Sequence, residues 1–226
     1  MRIIVILFIL FVNFTNPLFS KIASVIGDPI SQEIFFEVNK DTKNYPASLT
    51  KIMTLYIIFD HLEQRIISLN DKVYFSKKAT AQQPSKLGIL ENDFISVDEL
   101  IDALIIKSAN DAAIAIAEKI SGNERNFVQE MNKYAKKLKL KNTNFANPHG
   151  LPNRSNLSTA YDMFLLSSYI IKDFPEYLHR FKKTQVKIKG KNYSTHNTLL
   201  KKYSHYIGLK TGYIRKSGFQ ISLLSK

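Results

Sequence analysis

Tyr45-Pro-Ala-Ser-Leu-Thr-Lys-Ile-Met-Thr54 is the stretch on which the reading of this chain turns. A helix is expected to open at Pro46-Ala47-Ser48, because proline is tolerated only near a helix start. Ile52, Leu55, Tyr56, Phe59 and Leu62 then recur at helical spacing. Met53, Ile57 and Ile58 make the other faces apolar too, so this helix should be buried on most sides. Ser48 and Lys51 stand three apart, which places them on one face with Cβ atoms about 5–6 Å apart. A helix N-terminus favours developing negative charge. A lysine flanked by buried apolar residues has its pKa lowered by desolvation, so it can take a proton from a neighbouring hydroxyl. Standing alone, the same spacing reads more readily as a capping serine followed by a solvated lysine.

Outward from this helix, residues 33–38 form an aromatic and β-branched run that predicts a strand, and 39–44 a turn. Downstream, Ser96-Val-Asp-Glu99 is a capping box opening a helix that carries Leu100, Ile101, Leu104 and Ile105. An Ala/Ile-rich helix is expected over about 111–120. Ser121-Gly-Asn-Glu124 repeats the capping pattern and predicts another helix ending near Leu140. Ser158-Thr-Ala-Tyr-Asp162 starts a helix to about Ile171. After Pro175 the pattern turns to strands over 184–188, 207–213 and 219–224. One strand, many helices and then strands describe an α+β fold, its antiparallel sheet assembled from the chain ends with a helical insert.

The first twenty residues read as an address. Met1-Arg2 precedes ten unbroken apolar residues, Ile3 to Val12, and Asn13, Asn16 and Pro17 end the run short of the roughly 20 residues that span a membrane. One positive charge followed by a short apolar core predicts a signal peptide over 1–20, cleaved near 20–24, with the functional domain over 21–226. An uncleaved anchor is the competing reading and the only expected route to a membrane. Both place the rest of the chain outside the cytoplasm, in a periplasm or on the outer face of the membrane.

Composition narrows the chemistry. At 226 residues, 45% hydrophobic and 23% charged, the chain has the make-up of one or two ordinary globular domains. The formal net charge of +13 suits polyanionic surroundings, or simply a lysine-rich solvated surface. No basic stripe interleaved with aromatics occurs, so nucleic acid is not an expected partner. With no cysteine, thiolate catalysis, cysteine-ligated metals and disulfides are excluded. His61, His179, His196 and His205 lack metal-ligand spacing, and neither a metal nor any other cofactor is expected.

Two further motifs carry chemistry. Ser108-Ala-Asn110 lies between two predicted helices, where a hydroxyl and an amide can relay a proton and hold a substrate amide; alone it is an ordinary capped loop. Lys210-Thr211-Gly212 lies inside a predicted strand. Glycine is disfavoured there unless another backbone comes close. Such an edge can pair with an extended substrate and grip its carboxylate, or it can be a basic edge that discourages aggregation.

Taken in order, S-x-x-K, S-x-N and K-T-G are the marks of penicillin-binding proteins and class A β-lactamases. Tyr45 to Thr54, Ser108-Ala-Asn-Asp-Ala-Ala113 and His149-Gly-Leu151 resemble one branch in particular, the low-molecular-weight D-alanyl-D-alanine carboxypeptidases, from about Gln32 onward. The resemblance implies an α/β/α sandwich of the β-lactamase and penicillin-binding type. It further implies Ser48 as the acylated nucleophile, Lys51 as its base, and Ser108 and Asn110 passing protons and positioning the peptide. Lys210, Thr211 and Gly212 would bind the terminal carboxylate, and the backbone N–H groups of Ser48 and Tyr213 would form the oxyanion hole. His149 is expected near the site without an assigned duty. The implied substrate is the pentapeptide stem of peptidoglycan, and β-lactam antibiotics are the implied inhibitors. A class A β-lactamase deacylates with a loop glutamate; no glutamate lies between Glu130 and Glu176, which favours the carboxypeptidase. Relatives continue beyond the position of Lys226 with another strand and a closing helix. The resemblance therefore leaves an inactive truncated fragment as the alternative expectation, and less readily a β-lactamase.

Overall fold

The structure is a computed structural model and describes residues 22–225, so the expected leader lies outside the described residues. The long apolar helix is present as α1 (Thr50–Glu63), with Ile52, Met53, Leu55, Ile57, Ile58 and Phe59 sealed from solvent. It does not open at Pro46 as expected. Ala47 sits at φ +47°, outside the helical region, so a single 3₁₀ turn over Ala47–Leu49 comes first and α1 starts at Thr50. Ser48 therefore lies on a tight turn at the mouth of the helix. Its side chain caps nothing.

Around α1 pack the other helices: α2 (Lys77–Thr80), α3 (Val97–Asp102) running into a π turn at Ala103–Lys107, α4 (Asn110–Ser121), α5 (Glu124–Lys137) and α6 (Ala160–Asp173). The capping box at Ser96 forms on both sides, Glu99 N donating to Ser96 Oγ and Ser96 N to Glu99 Oε2. The expected cap at Ser121 does not. Gly122 in the left-handed region ends α4 after Ser121, and Asn123 caps α5 by accepting from Asn126 N. Helix α5 ends at Lys137 rather than near Leu140, since Lys139 turns left-handed at φ +56°. Aromatic rings lock the layers. Tyr56 of α1 meets Tyr134 of α5 edge-on at 5.8 Å, and Phe59 stacks on Tyr177 at 4.3 Å, in the 3₁₀ segment Pro175–Lys182.

Among the described residues the strands come as four antiparallel two-stranded ribbons: β1 (Ser24–Gly27) with β2 (Ile34–Val38), β3 (Lys72–Tyr74) with β4 (Phe94–Ser96), β5 (Gln185–Ile188) with β6 (Lys191–Ser194), and β7 (Tyr206–Ile214) with β8 (Gly218–Ser225). A short helix α7 (Thr198–Lys202) leads into β7. The antiparallel strands at the two chain ends are thus present, but not as one hydrogen-bonded sheet. A cavity of about 780 Å³ lies between the β1 and β8 edges, lined beneath by Met163, Phe164 and Ser167 of α6. In β7 a bulge between Gly208 and Lys210 re-aims the strand. After it, Lys210 is buried while Tyr213 is exposed. No helix among the described residues is long and apolar enough to cross a membrane.

Candidate active site

Ser48, Ser108, Asn110, His149, Thr211, Gly212 and Tyr213 line one cavity of about 710 Å³, between the helices and the β7–β8 ribbon. At its base is Lys51, fully buried in the first turn of α1. Its Nζ lies 2.7 Å from Asn110 Oδ1, 2.6 Å from the carbonyl oxygen of His149 and 3.4 Å from Ser48 Oγ. Counting donors decides what this amine can do. A neutral amine has two N–H groups and one lone pair. The Asn110 amide oxygen and the His149 carbonyl oxygen are pure acceptors and take both N–H groups of the neutral amine, so its lone pair is left for the Ser48 hydroxyl.

The electrostatics favour that neutral state. Burial pushes the Lys51 pKa well below 10.5, the nearby Lys210 cation lowers it further, and only Asp111 opposes. Lys210, also buried, is brought down to about 7 by desolvation, and its Nζ donates to the carbonyl of Thr211 at 2.8 Å. The site thus holds two amines of different character, one whose charged form is strongly disfavoured by burial and by a neighbouring cation, and one brought down to about 7.

Backbone approach sets the geometry. A Cβ placed on Gly212 would lie 3.2 Å from Ser48 N and 3.3 Å from Ala47 Cβ, tighter than ordinary packing, so the glycine in the strand does admit a neighbouring backbone. Gly150 is more constrained still: it sits at φ +85°, and a Cβ there would fall 1.8 Å from the Ala47 carbonyl oxygen. Asn147 Oδ1 holds Gly150 N at 2.7 Å, and Thr54 Oγ1 donates to Pro148 O at 2.7 Å, tying the loop over 147–151 to α1. Ala47 and Ser108 both occupy left-handed backbone at φ +47° and +59°, rare for residues with a side chain and frequent where structure stores strain at a site.

The structure therefore brings Ser48, Lys51, Ser108, Asn110, Thr211 and Gly212 to one cavity, while Lys210 is buried beside them, its Nζ turned to the Thr211 carbonyl rather than lining the space. Reasoning from sequence missed four contributors. The His149 carbonyl accepts from Lys51, although His149 had been given no task. Its ring is held neutral, with burial bringing its pKa down to about 3 and its Nδ1 accepting from Leu151 N at 3.0 Å. Gly150 shows in the sequence only as the glycine of His149-Gly-Leu151. Gln83 and Ser85, which bind Asn110 through their carbonyls, carry no sequence signal because the atoms involved belong to the backbone. Among the described residues, no group of three or more His, Asp or Glu side chains is arranged to hold a metal ion.

Comparison with known proteins agrees with this geometry. A family described as D-alanyl-D-alanine carboxypeptidase, the S11 peptidases, matches residues 15–223. The chain is 36% identical over 211 residues to D-alanyl-D-alanine carboxypeptidase DacA of Haemophilus influenzae, covering 92% of this chain and 54% of that protein. It is also 36% identical over 204 residues to DacD of Escherichia coli, covering 87% and 53%. Penicillin-binding protein 5 of H. influenzae superposes with a TM-score of 0.86 at 36% identity, over 92% of this chain and 62% of that one. Penicillin-binding protein D2 of Listeria monocytogenes, in its cefotaxime-bound form, superposes at 0.81 with 30% identity, over 92% and 85%. The chain spans about half the length of the curated relatives it matches. The fold is that of the penicillin-binding proteins, and the chain belongs to the D-alanyl-D-alanine carboxypeptidase family of serine peptidases.

Proposed function

We propose that this chain is a serine D,D-carboxypeptidase that removes the terminal D-alanine from peptidoglycan stem pentapeptides through an acyl-enzyme on Ser48. The observation that carries the reading is the donor count at Lys51. An amine whose two N–H groups are consumed by Asn110 Oδ1 and His149 O offers its lone pair only toward Ser48 Oγ. In the proposed cycle, Lys51 takes the serine proton while Ser48 Oγ attacks the carbonyl carbon of the penultimate D-alanine. The oxyanion forms against the backbone N–H groups of Ser48 and Tyr213. Collapse of the tetrahedral intermediate breaks the C–N bond, and the proton from Lys51 reaches the leaving amine by way of Ser108, with Asn110 positioning the peptide. Water then attacks the ester, Lys51 again accepting the proton and returning it to Ser48 Oγ. Lys210 and Thr211, with the β7 edge opened by Gly212, hold the substrate carboxylate throughout.

The location that fits this substrate is outside the cytoplasm, in a periplasm or on the outer membrane face, reached by means of residues 1–20. The excess of basic residues suits an anionic envelope. β-Lactams are the proposed inhibitors, since their strained amide presents the same carbonyl to Ser48. Labelled penicillin tests the assignment: a stoichiometric covalent adduct is expected on the native chain and none on Ser48→Ala. Undiminished labelling of Ser48→Ala removes the assigned nucleophile. Release of D-alanine from a synthetic pentapeptide, followed in parallel, tests turnover separately from acylation.

A further inference from the structure

Asn110 meets Lys51 with its oxygen rather than its amino group, and the structure shows what fixes that choice. Its Nδ2 donates to Gln83 O at 2.9 Å, and its backbone N donates to Ser85 O at 2.7 Å. Both acceptors lie on the loop over 83–88, whose Pro84 and Ser85 also line the catalytic cavity. The loop is held in turn by the next residue of α4. Asp111 is fully buried, and its carboxylate accepts from Leu87 N at 2.9 and 3.0 Å and from Gly88 N at 2.9 Å. Ala112 N donates to it as well, at 2.9 Å. Among the described residues no cation forms an ion pair with Asp111. Backbone N–H groups and the N-terminal dipole of the twelve-residue α4 hold its charge. Ser85 Oγ, donating to Lys107 O, and Tyr193 OH, donating to Leu87 O at 3.0 Å, fasten the loop from its other sides.

We infer that Asp111 is a positioning residue for the reaction: by gripping Leu87 and Gly88 it fixes the loop whose carbonyls orient the Asn110 amide toward Lys51. The inference rests on the serine-peptidase reading and deepens it. A buried carboxylate is costly, and a neutral residue of similar size would fill the same space without that cost. What the charge adds is a multi-donor grip on a loop adjoining the catalytic amine. It also adds a field at Lys51, where the groups facing the amine are Lys210 from β7, the neutral ring of His149 and Asp111 itself; Tyr193 faces the carboxylate from β6. Asp111 is the one of these that favours the Lys51 cation. Its removal therefore moves the Lys51 titration to lower pH.

The test compares Asp111→Asn with the native chain. Acylation by a fluorescent penicillin should slow by about tenfold or more, as for loss of a charge-assisted hydrogen bond. The acid limb of its pH profile should move to lower pH. The Asn110 side-chain amide and the Leu87 and Gly88 amides should exchange faster with deuterium. In an Asn110→Ala background the same substitution should cost less than about twofold, because the two residues act in series. Native rates with a native acid limb, or a full tenfold cost in the Asn110→Ala background, would overturn the inference. Should Asp111→Asn fail to fold, Tyr193→Phe removes another fastening of the loop: slowing of about two- to fivefold with an unmoved acid limb supports the inference, and unchanged rate and exchange oppose it. If the native chain takes no penicillin, the peptidase reading falls, while the exchange of Asn110 still decides whether Asp111 orients it.

Discussion

The helical half of the molecule and its terminal ribbons solve the same problem with opposite success. Around α1, Lys51, Thr54, Asn110, Asp111 and Asn147 all find partners within the fold, Arg180 Nε being a buried exception. Among the described residues, β1 and β8 each belong to a two-stranded ribbon and face a cavity of about 780 Å³, and Ile26, Phe35, Phe36, Phe219 and Ile221 stand exposed. Left-handed non-glycine backbone occurs in both parts, at Ala47 and Ser108 beside the site and at Gln32 and Lys189 in the ribbon turns. The lesson is that catalytic geometry in this chain depends on the satisfied half. The ribbons contribute β7 and the facing residues Phe219 to Ile221 of β8 to the cavity wall, while β1 and β2 stand apart from it.

The comparison breaks most visibly at Asp102. Arg180 is buried, donating to Asp102 Oδ1 at 3.1 Å and pairing with Asp98, while Lys183 reaches Asp102 Oδ2 at 2.6 Å. This cluster ties the 175–182 segment to α3, beneath the site. Asp102→Ala strands the buried guanidinium with Asp98 alone. It should cost about 3 kcal/mol, the lower end for a broken buried pair. Denaturant unfolding measures the cost, and a change under 1 kcal/mol would show the helical half to be no more demanding than the ribbons.

Next in size is Gly150→Ala. The added Cβ cannot coexist with the Ala47 carbonyl, so the turn bearing Ser48 must shift. A displacement near 1 Å at a catalytic centre costs about a hundredfold in rate. Gly122→Ala is the control: φ is similarly positive at +78° but nothing lies within 4 Å, so only the left-handed strain of about 1–2 kcal/mol is paid in stability, with acylation unchanged. Penicillin acylation rates and thermal melts of the two variants separate the effects. Equal rates would mean that the contact between the 147–151 loop and Ala47 is not what places Ser48.

How much of this was legible beforehand follows from where the information resides. Side-chain chemistry at fixed spacing was legible: Ser48 with Lys51, Ser108 with Asn110, and Thr211 with Gly212 meet at one cavity. Apolar periodicity gave α1, Ala/Ile richness α4, the start signal at Ser158 to Asp162 α6, and apolar runs the three late strands. Partnerships made by backbone atoms were not legible, because Gln83 O, Ser85 O and His149 O could belong to any residue. Short ribbons such as Lys72–Tyr74 with Phe94–Ser96 escaped for a related reason. Three residues carry too little alternation to announce a strand, and their pairing is settled by tertiary packing. The Ser121 cap failed because Gly122 ends one helix before the next begins, a stop signal that outranks a capping pattern.

The pH response sharpens the same contrast from within the site. Acylation needs Lys51 without its proton, and carboxylate binding needs Lys210 with one. The Lys51 pKa lies well below 10.5, so kcat/KM rises on the acid side as Lys51 is deprotonated. Lys210 loses its proton at about 7, so kcat/KM should fall above neutrality, approaching about tenfold per pH unit. Rates with a carboxypeptidase substrate between pH 5 and 9 test the sign; a plateau persisting to pH 9 would detach Lys210 from carboxylate binding. A penicillin lacking the free carboxylate should lose the alkaline limb and keep the acid one.

The smallest effect is expected at the open edge. Ile26 lies in β1, more than half exposed and beside the large cavity, so its replacement removes little buried surface. Ile26→Lys should shift stability by no more than about 0.5 kcal/mol, as surface substitutions do. It should also leave acylation at the native rate, because Ile26 does not line the catalytic cavity. What it should change is self-association. An apolar strand with one unpaired edge is a template for a second strand, and a lysine there resists such pairing. Light scattering at rising concentration reads the difference, with the variant staying monodisperse where the native chain associates. If Ile26→Lys unfolds the protein as readily as Asp102→Ala, the ribbons are as integral to the fold as the helices, and the division between the two halves is wrong.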